Sequence, residues 1–468
     1  VSIAILTRKF IAGGSPNVIL PENIRTLTEF QPNALQEELL AIKARYQVHY
    51  VHRRGGKSFG YLHHAIERGI ECPFKKPRYL FTAQCLDQAV DIAWEYLLDI
   101  AEAIPGAYPF KRDFSIFFPT RAGSEGKIKL KGTDSVGDRT RGKYLDGVIN
   151  DEAAFDSPAY WRSQIRPMLA DQTRRGFDRH GYANQWSVRI STMNGRNHMY
   201  RAHREAVAWM EGRGVIKRDP KSGQQREVFK KPDSWAAIFR TVKETDLIDD
   251  AEIEELQQDL TPGEFGREFM LDPDAMVEGA IYADELAKLR RHGLIDVCPH
   301  NPKYPVNSCW DIGWHDKAGW FFQIVGATVN WIGYQHWHKK RWHRVVSDMM
   351  DKGWTWGAHI FPPDSKHHNS DGQQTQATLK GLGIRMAEAP RIAKQDACET
   401  IVPKIILRSR YDEMHCADGL DALALYEVTY DEETELWSDD TSKNWTKHPA
   451  DSKRYGCCWI DKQLNGHG

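Results

Sequence analysis

Apolar and polar positions follow two rhythms along the N-terminal part of the chain. Leu35, Leu39, Leu40 and Ile42 recur at helical spacing, and the run Tyr46 to Val51 that follows suits a buried strand. The spacing then predicts a helix over 58–68, a strand over 78–82, and a long helix over 86–104 stopped by Pro105-Gly106. Further strand-like stretches fall at 114–118, 127–130, 147–149 and 186–190. Strands that alternate with helices predict βαβ units and a largely parallel sheet.

The rhythm loosens after Thr192. Residues 212–234 are rich in Gly, Lys, Arg and Pro and read as a basic loop or hairpin; 253–260 reads as a short helix. Residues 1–28 carry the breaker Gly13-Gly14-Ser15-Pro16 and read as an irregular lead-in. The organisation expected is a first α/β domain over 29–235, a connecting subdomain over 236–304, a second domain core over 305–430 and a peripheral tail over 431–468. A length of 468 residues agrees, being too great for one ordinary core.

Composition narrows the class. With 41% hydrophobic and 27% charged residues the chain reads as soluble and globular. A formal charge of −1 gives no global attraction to nucleic acid, so any such surface must be a local patch. The eight cysteines form no Cys-x-x-Cys pair, which argues against a zinc site or disulfide framework and for a reducing, cytosolic setting. Residues 1–11 are interrupted by Arg8 and Lys9 and lack a signal-peptide pattern, and no run reaches membrane-spanning length. The tryptophans cluster between Trp310 and Trp356, where large aromatics are expected to be core.

Candidate chemistry sits at two places. The first strand runs into His52-Arg53-Arg54-Gly55-Gly56-Lys57-Ser58, although Val51 stands where G-x-x-x-x-G-K-[ST] has its first glycine. Gly55 and Gly56 give a turn with little bulk, Lys57 a point charge for β/γ-phosphates, and Ser58 a hydroxyl for Mg²⁺. Downstream, Gly147-Val148-Ile149-Asn150 runs into Asp151-Glu152, which offers a metal partner (Asp151) and a base for water (Glu152). Together they predict ATP hydrolysis. Arg53 lies where it could reach a γ-phosphate, Gln36 could read an adenine edge, and Ser191-Thr192 could sense the γ-phosphate or cap a helix.

In the C-terminal half, Asp311 stands at a strand start, Asp364 closes another strand, and Asp418 and Asp421 share a helical stretch with His415 beside them. Carboxylates so placed can converge on a pair of Mg²⁺ or Mn²⁺ ions that clamp a phosphodiester. Between the first two runs a segment in which His336, His338, Lys339, Lys340, Arg341, His343 and Arg344 interleave with Trp337 and Trp342, a pattern suited to a phosphate backbone.

On these motifs, in this order over roughly 30–430, the chain resembles the large terminase subunit of tailed double-stranded DNA bacteriophages. Arg53 before Gly-Lys-Ser, Gln88-Ala89, Arg141-Gly142, 149–155, Ser191-Thr192, Arg267-Glu268-Phe269 and Gly279-Ala280-Ile281-Tyr282 carry the likeness. The resemblance implies a RecA/P-loop-type ATPase domain joined to a ribonuclease-H-like nuclease domain, with nuclease carboxylates at Asp311, Asp364 and Asp421, and Asp418 competing for the third place. It also implies ATP and Mg²⁺ (or Mn²⁺ at the nuclease) as cofactors, and double-stranded DNA, the portal protein of the procapsid and a small terminase subunit as partners. The assembly implied is a ring on the portal, monomeric when isolated, in the host bacterial cytoplasm and without membrane contact. Two rival readings remain: a helicase–nuclease of repair or recombination, for which no second RecA-like unit is visible between 195 and 305, and an ATP-gated DNA-binding protein with an inactive nuclease.

Overall fold

The structure, a computed structural model, describes residues 20–133, 144–218, 225–275, 279–313, 316–363, 377–431, 436–441 and 445–465. It is a mixed α/β chain built on two large sheets. The strands of the first are β1 (Tyr46–Val51), β2 (Arg78–Ala83), β3 (Tyr108–Phe110), β4 (Ser115–Pro119), β5 (Glu125–Gly132), β6 (Gly147–Asn150) and β7 (Trp186–Ser191). A hairpin of β8 (Val215–Arg218) and β9 (Gln225–Val228) stands apart, and β10 (Trp235–Arg240) returns to the sheet.

The order is β10-β1-β7-β6-β2-β5-β4-β3, parallel from β10 to β5 and antiparallel at the β5-β4-β3 edge. Helix Lys57–Glu71 buries Tyr61, Leu62, Ala65 and Ile66, and helix Leu86–Ala103 buries Ala89, Ala93, Leu97 and Ile100. These stripes at three- and four-residue spacing close over the sheet.

Two elements of this half are absent from the sequence reading. Residues 236–240, expected to begin the connecting subdomain, instead continue from Trp235 as an edge strand that pairs in parallel with β1, and the apolar run Trp235-Ala236-Ala237-Ile238-Phe239 is its local signal. Helix His198–Met210, capped by the Asn197 carboxamide, hides its stripe because a buried His203 occupies one of its inward positions.

The second sheet comprises β11 (Ile295–Asp296), β12 (Val306–Ile312), β13 (Asp316–Val325), β14 (Thr328–His338), β15 (Trp356–Phe361), β16 (Met386–Glu388) and β17 (Ser409–Asp412), in the order β11-β17-β14-β13-β12-β15-β16. β12, β13 and β14 are antiparallel neighbours, and β15, β16, β17 and β11 join in parallel. Three antiparallel strands extended by parallel ones match the ribonuclease-H-like arrangement that the resemblance implies.

Trp310, Trp320 and Trp331 are fully buried in this half, as expected of core residues. Part of the expected tail belongs to the core as well. Helix Lys447–Asn465 lies on β12 and β13, where the Ser452 hydroxyl donates to the Cys309 carbonyl (2.8 Å) and the Trp320 indole donates to the Pro449 carbonyl (2.9 Å). Gly456 permits the approach, since a Cβ there would meet the Cys309 sulfur at 2.4 Å. The inward side chains Ser452 and Lys453 made this helix look like a polar tail. None of the described helices is long and apolar enough to cross a membrane.

Candidate functional site

The carboxyl ends of β1, β6 and β7 adjoin, as parallel pairing of β7 with both neighbours requires. That end of an open α/β sheet is where ligands bind. After β1 the chain turns through Arg54 (φ 69°) and Gly56 (φ 72°) into the helix that begins at Lys57. The left-handed conformation of Gly56 is one that a side chain resists, and a Cβ would also meet the Gln36 amide nitrogen at 2.7 Å.

Around this turn the expected residues converge. The Ser58 hydroxyl donates to Asp151 Oδ2 at 2.5 Å, and Lys57 Nζ lies 3.4 Å from Glu152 Oε1. Glu152 Oε2 accepts from the Ser191 hydroxyl at 2.9 Å, so β7 orients the second carboxylate while β6 supplies it. Burial, followed by the neighbouring Glu152 charge, raises the proton affinity of Asp151. Behind it Asp156 accepts from Asn150 and Thr133, both at 2.7 Å, and burial lifts its carboxyl to about 7.

Arg53 is exposed on the loop, and its backbone N–H donates to the Glu268 carbonyl at 2.8 Å. His52 pins the same turn. Its Nδ1 meets the Arg53 carbonyl at 2.6 Å, which can only accept, so Nδ1 carries the proton and Nε2 takes the Thr245 hydroxyl at 2.7 Å.

Gln36 is differently employed from the expected adenine contact. Its Oε1 accepts from the Asn33 N–H at 3.0 Å and its Nε2 donates to the Gly56 carbonyl at 2.8 Å, so both ends of the amide brace the loop. Thr192 is buried and donates to Glu268 Oε1 at 3.3 Å. Sequence reasoning placed Glu268 only within a family-like triplet; no local pattern signals a carboxylate delivered to this site from 76 residues downstream of Thr192.

A second cluster lies on the other sheet. Asp311, expected at a strand start, stands instead near the end of β12, because the strand already begins at Val306, and it contacts His448 Nδ1 through Oδ2 at 2.5 Å. Asp316 at the start of β13 accepts from His336 (3.0 Å) and His338 (2.8 Å); burial first, and then the charges of Asp418, Asp311 and Asp316, raise the proton affinity of the Tyr334 phenol. Asp418 and Asp421 both lie on helix Ala417–Ala424 but face different partners. Asp418 pairs with Arg162 of the first half, while both oxygens of the buried Asp421 are taken by Arg201 at 2.8 and 2.6 Å. His415 pairs with Asp412 at 2.9 Å. Asp364 and the Arg141-Gly142 pair lie outside the described residues.

The interleaved basic segment separates by side-chain type. Trp337 and Trp342 are core, whereas His338, Lys339, Lys340, Arg341, His343 and Arg344 are exposed, so no stacking platform forms there.

The hydroxyl of Ser58 and the carboxylate of Asp151 already touch, a hard-oxygen pair suited to Mg²⁺. Among the described residues of either cluster, no group of three or more His, Cys, Asp or Glu side chains is placed to hold a metal ion.

No family model matches the sequence, and no curated protein matches it. Among solved structures the chain is similar to the large terminase of a thermophilic bacteriophage, with 14% identity over 93% of this chain and 100% of that one, at a TM-score of 0.38. It is similar to the HK97 bacteriophage large terminase, with 12% identity over 92% and 95% and a TM-score of 0.43. The Thermus phage P74-26 large terminase ATPase domain is 20% identical over 54% of this chain and 97% of that one, at a TM-score of 0.40.

Proposed function

We propose that this chain is a DNA-packaging motor that hydrolyses ATP to drive double-stranded DNA into a viral procapsid and cuts that DNA at a second centre. The observation that carries the reading is the convergence of Lys57, Ser58, Asp151, Glu152 and Ser191 at the carboxyl ends of three adjacent parallel strands. On this reading Lys57 holds the β- and γ-phosphate oxygens, and the N–H groups of the turn at Gly55 and Gly56 complete the cradle. An arriving triphosphate competes for Lys57, which frees Glu152 to orient and deprotonate the attacking water while Ser191 keeps it aimed. Arg53 supplies positive charge to the transition state from the exposed side of the loop. Mg²⁺, held through Ser58 and Asp151, would neutralise phosphate charge.

For the cutting centre we propose Asp311, Asp364 and Asp418 as the carboxylates. Asp421 serves instead as the buried anchor of Arg201, because its oxygens are both engaged. A portal, a small subunit, a ring of copies and a site of action in the host cytoplasm complete the proposal.

Separation of the two activities tests it. Lys57→Ala and Glu152→Ala should abolish ATP turnover yet leave Mn²⁺-dependent plasmid cutting, and Asp311→Ala should do the reverse. If a folded Lys57→Ala protein loses both, or if Asp311→Ala cuts like the unchanged chain, the two-centre reading is wrong.

A further inference from the structure

The ATP centre contains a third carboxylate for which the proposed chemistry has no use. Glu268 ends the helix Pro262–Glu268, and its side chain accepts from the Thr192 hydroxyl at 3.3 Å. Its own carbonyl accepts from the Arg53 N–H at 2.8 Å. Thr192 follows Ser191, which holds Glu152, and Glu152 in turn pairs with Lys57. The contacts therefore close a ring: phosphate loop, Glu268, end of β7, Glu152, and back to the loop at Lys57.

Electrostatics place the carboxylate within the field of the same centre. Burial raises its proton affinity first, the Glu152 charge adds to that, and Lys57 and Arg53 oppose it. A triphosphate brings several negative charges to a site that already holds Asp151 and Glu152, and it recruits the two cations that now favour the ionised form of Glu268. A third carboxylate there opposes the terminal phosphate.

The backbone around Glu268 leads away from the site. Phe265 and Phe269 pack with Val242 and Ile253 in a small separate core, and the Val242 N–H donates to the Phe269 carbonyl at 2.9 Å. Glu268 thus stands between the Thr192 hydroxyl and this small core.

We infer that Glu268 is a positioning residue that distinguishes a nucleoside triphosphate from a diphosphate, holding Thr192 and the Arg53 turn in place until the terminal phosphate displaces its carboxylate. The inference rests on the ATP-centre reading above. It differs from a purely structural role in one respect: the side-chain charge, and not merely its hydrogen bond, sets nucleotide preference.

Glu268→Gln keeps the acceptor for Thr192 and removes the charge. Binding of a non-hydrolysable ATP analogue and of ADP to the full chain would be measured by titration calorimetry, with kcat and KM for ATP alongside. The expected result is about tenfold tighter analogue binding with ADP affinity unchanged, together with a kcat reduced about tenfold or more as KM falls. Glu268→Ala should show the same shift in preference. An unchanged analogue-to-ADP ratio in both variants overturns the inference. Lys57→Ala separates this from failure of the underlying reading: if that variant turns over ATP normally, the centre itself is misassigned, whereas a dead Lys57→Ala with an unaltered Glu268→Gln ratio removes only the role of Glu268.

Discussion

The guanidinium of Arg201, on a helix of the first half, takes both carboxylate oxygens of Asp421, on a helix of the second, at 2.8 and 2.6 Å. The Asp421 side chain is only 1% exposed, so the pair is a bidentate, desolvated contact between the two sheets' helices. It also engages one of the two aspartates that sequence alone left in competition for a single role. Asp418 is more open, and its partner Arg162 is largely exposed.

Removing one partner of that pair should be costly. Arg201→Ala leaves a buried carboxylate without its cation, and the expected loss is about 3–5 kcal/mol in urea unfolding. Arg162→Ala, at an exposed pair, should cost less than about 1 kcal/mol. Equal effects would mean that Asp421 is not the anchor.

The same division predicts unequal metal binding. Asp418→Asn should weaken Mn²⁺ affinity at least tenfold in calorimetric titration, while Asp421→Asn should change it little once its folding is verified. The opposite ranking would restore Asp421 as a ligand.

Gln36 braces the turn before Lys57 through the Gly56 carbonyl and the Asn33 N–H. Gln36→Ala should therefore weaken adenine and guanine nucleotides by similar factors and cost about 1–2 kcal/mol of stability. A selective loss of adenine nucleotides would show that the amide reads the base instead.

Lys453 is buried, and its Nζ finds no hydrogen-bond acceptor among the described residues. The amine lies 3.0 Å from the centre of the Trp331 ring and 4.3 Å from that of Tyr411, and burial lowers its pKa to about 7. Between that value and its ordinary 10.5 the unfolded chain holds a proton that the fold releases, so this group makes stability rise with pH. Lys453→Met should add about 1–3 kcal/mol at pH 7 and flatten the rise. A destabilised variant with the slope intact would contradict this.

Buried imidazoles act below neutrality. Burial lowers the pKa of His49 to about 3 and those of His63, His203 and His359 to about 4, so each stays neutral where the unfolded chain is protonated. Their stabilisation is complete above pH 6.5 and is lost as pH falls toward 4, at about 1.4 kcal/mol per unit for each histidine. Urea midpoints that stay level from pH 6.5 to 4.5 would refute the assignment.

The parallel sheet and the turn that leads from β1 into the helix at Lys57 were legible because their signals are local: an apolar strand, a glycine pair, a lysine and a hydroxyl within a few residues. Asp151-Glu152 could be read for the same reason. Glu268, His52 and the Arg201–Asp421 pair could not, because each acquires its meaning from a partner far along the chain. The tail was misread for a subtler cause. Its inward positions include Ser452, Lys453 and Gly456, which fit through one hydroxyl contact, one aromatic nest and one close backbone approach, none of which a hydropathy pattern records.

The contact between His448 and Asp311 joins residues 137 apart in sequence. A ribosome must therefore thread nearly the whole second sheet and the start of its covering helix before that aspartate is held in place. During synthesis the emerging polypeptide carries Asp311 without this partner until the helix Lys447–Asn465 has begun to form.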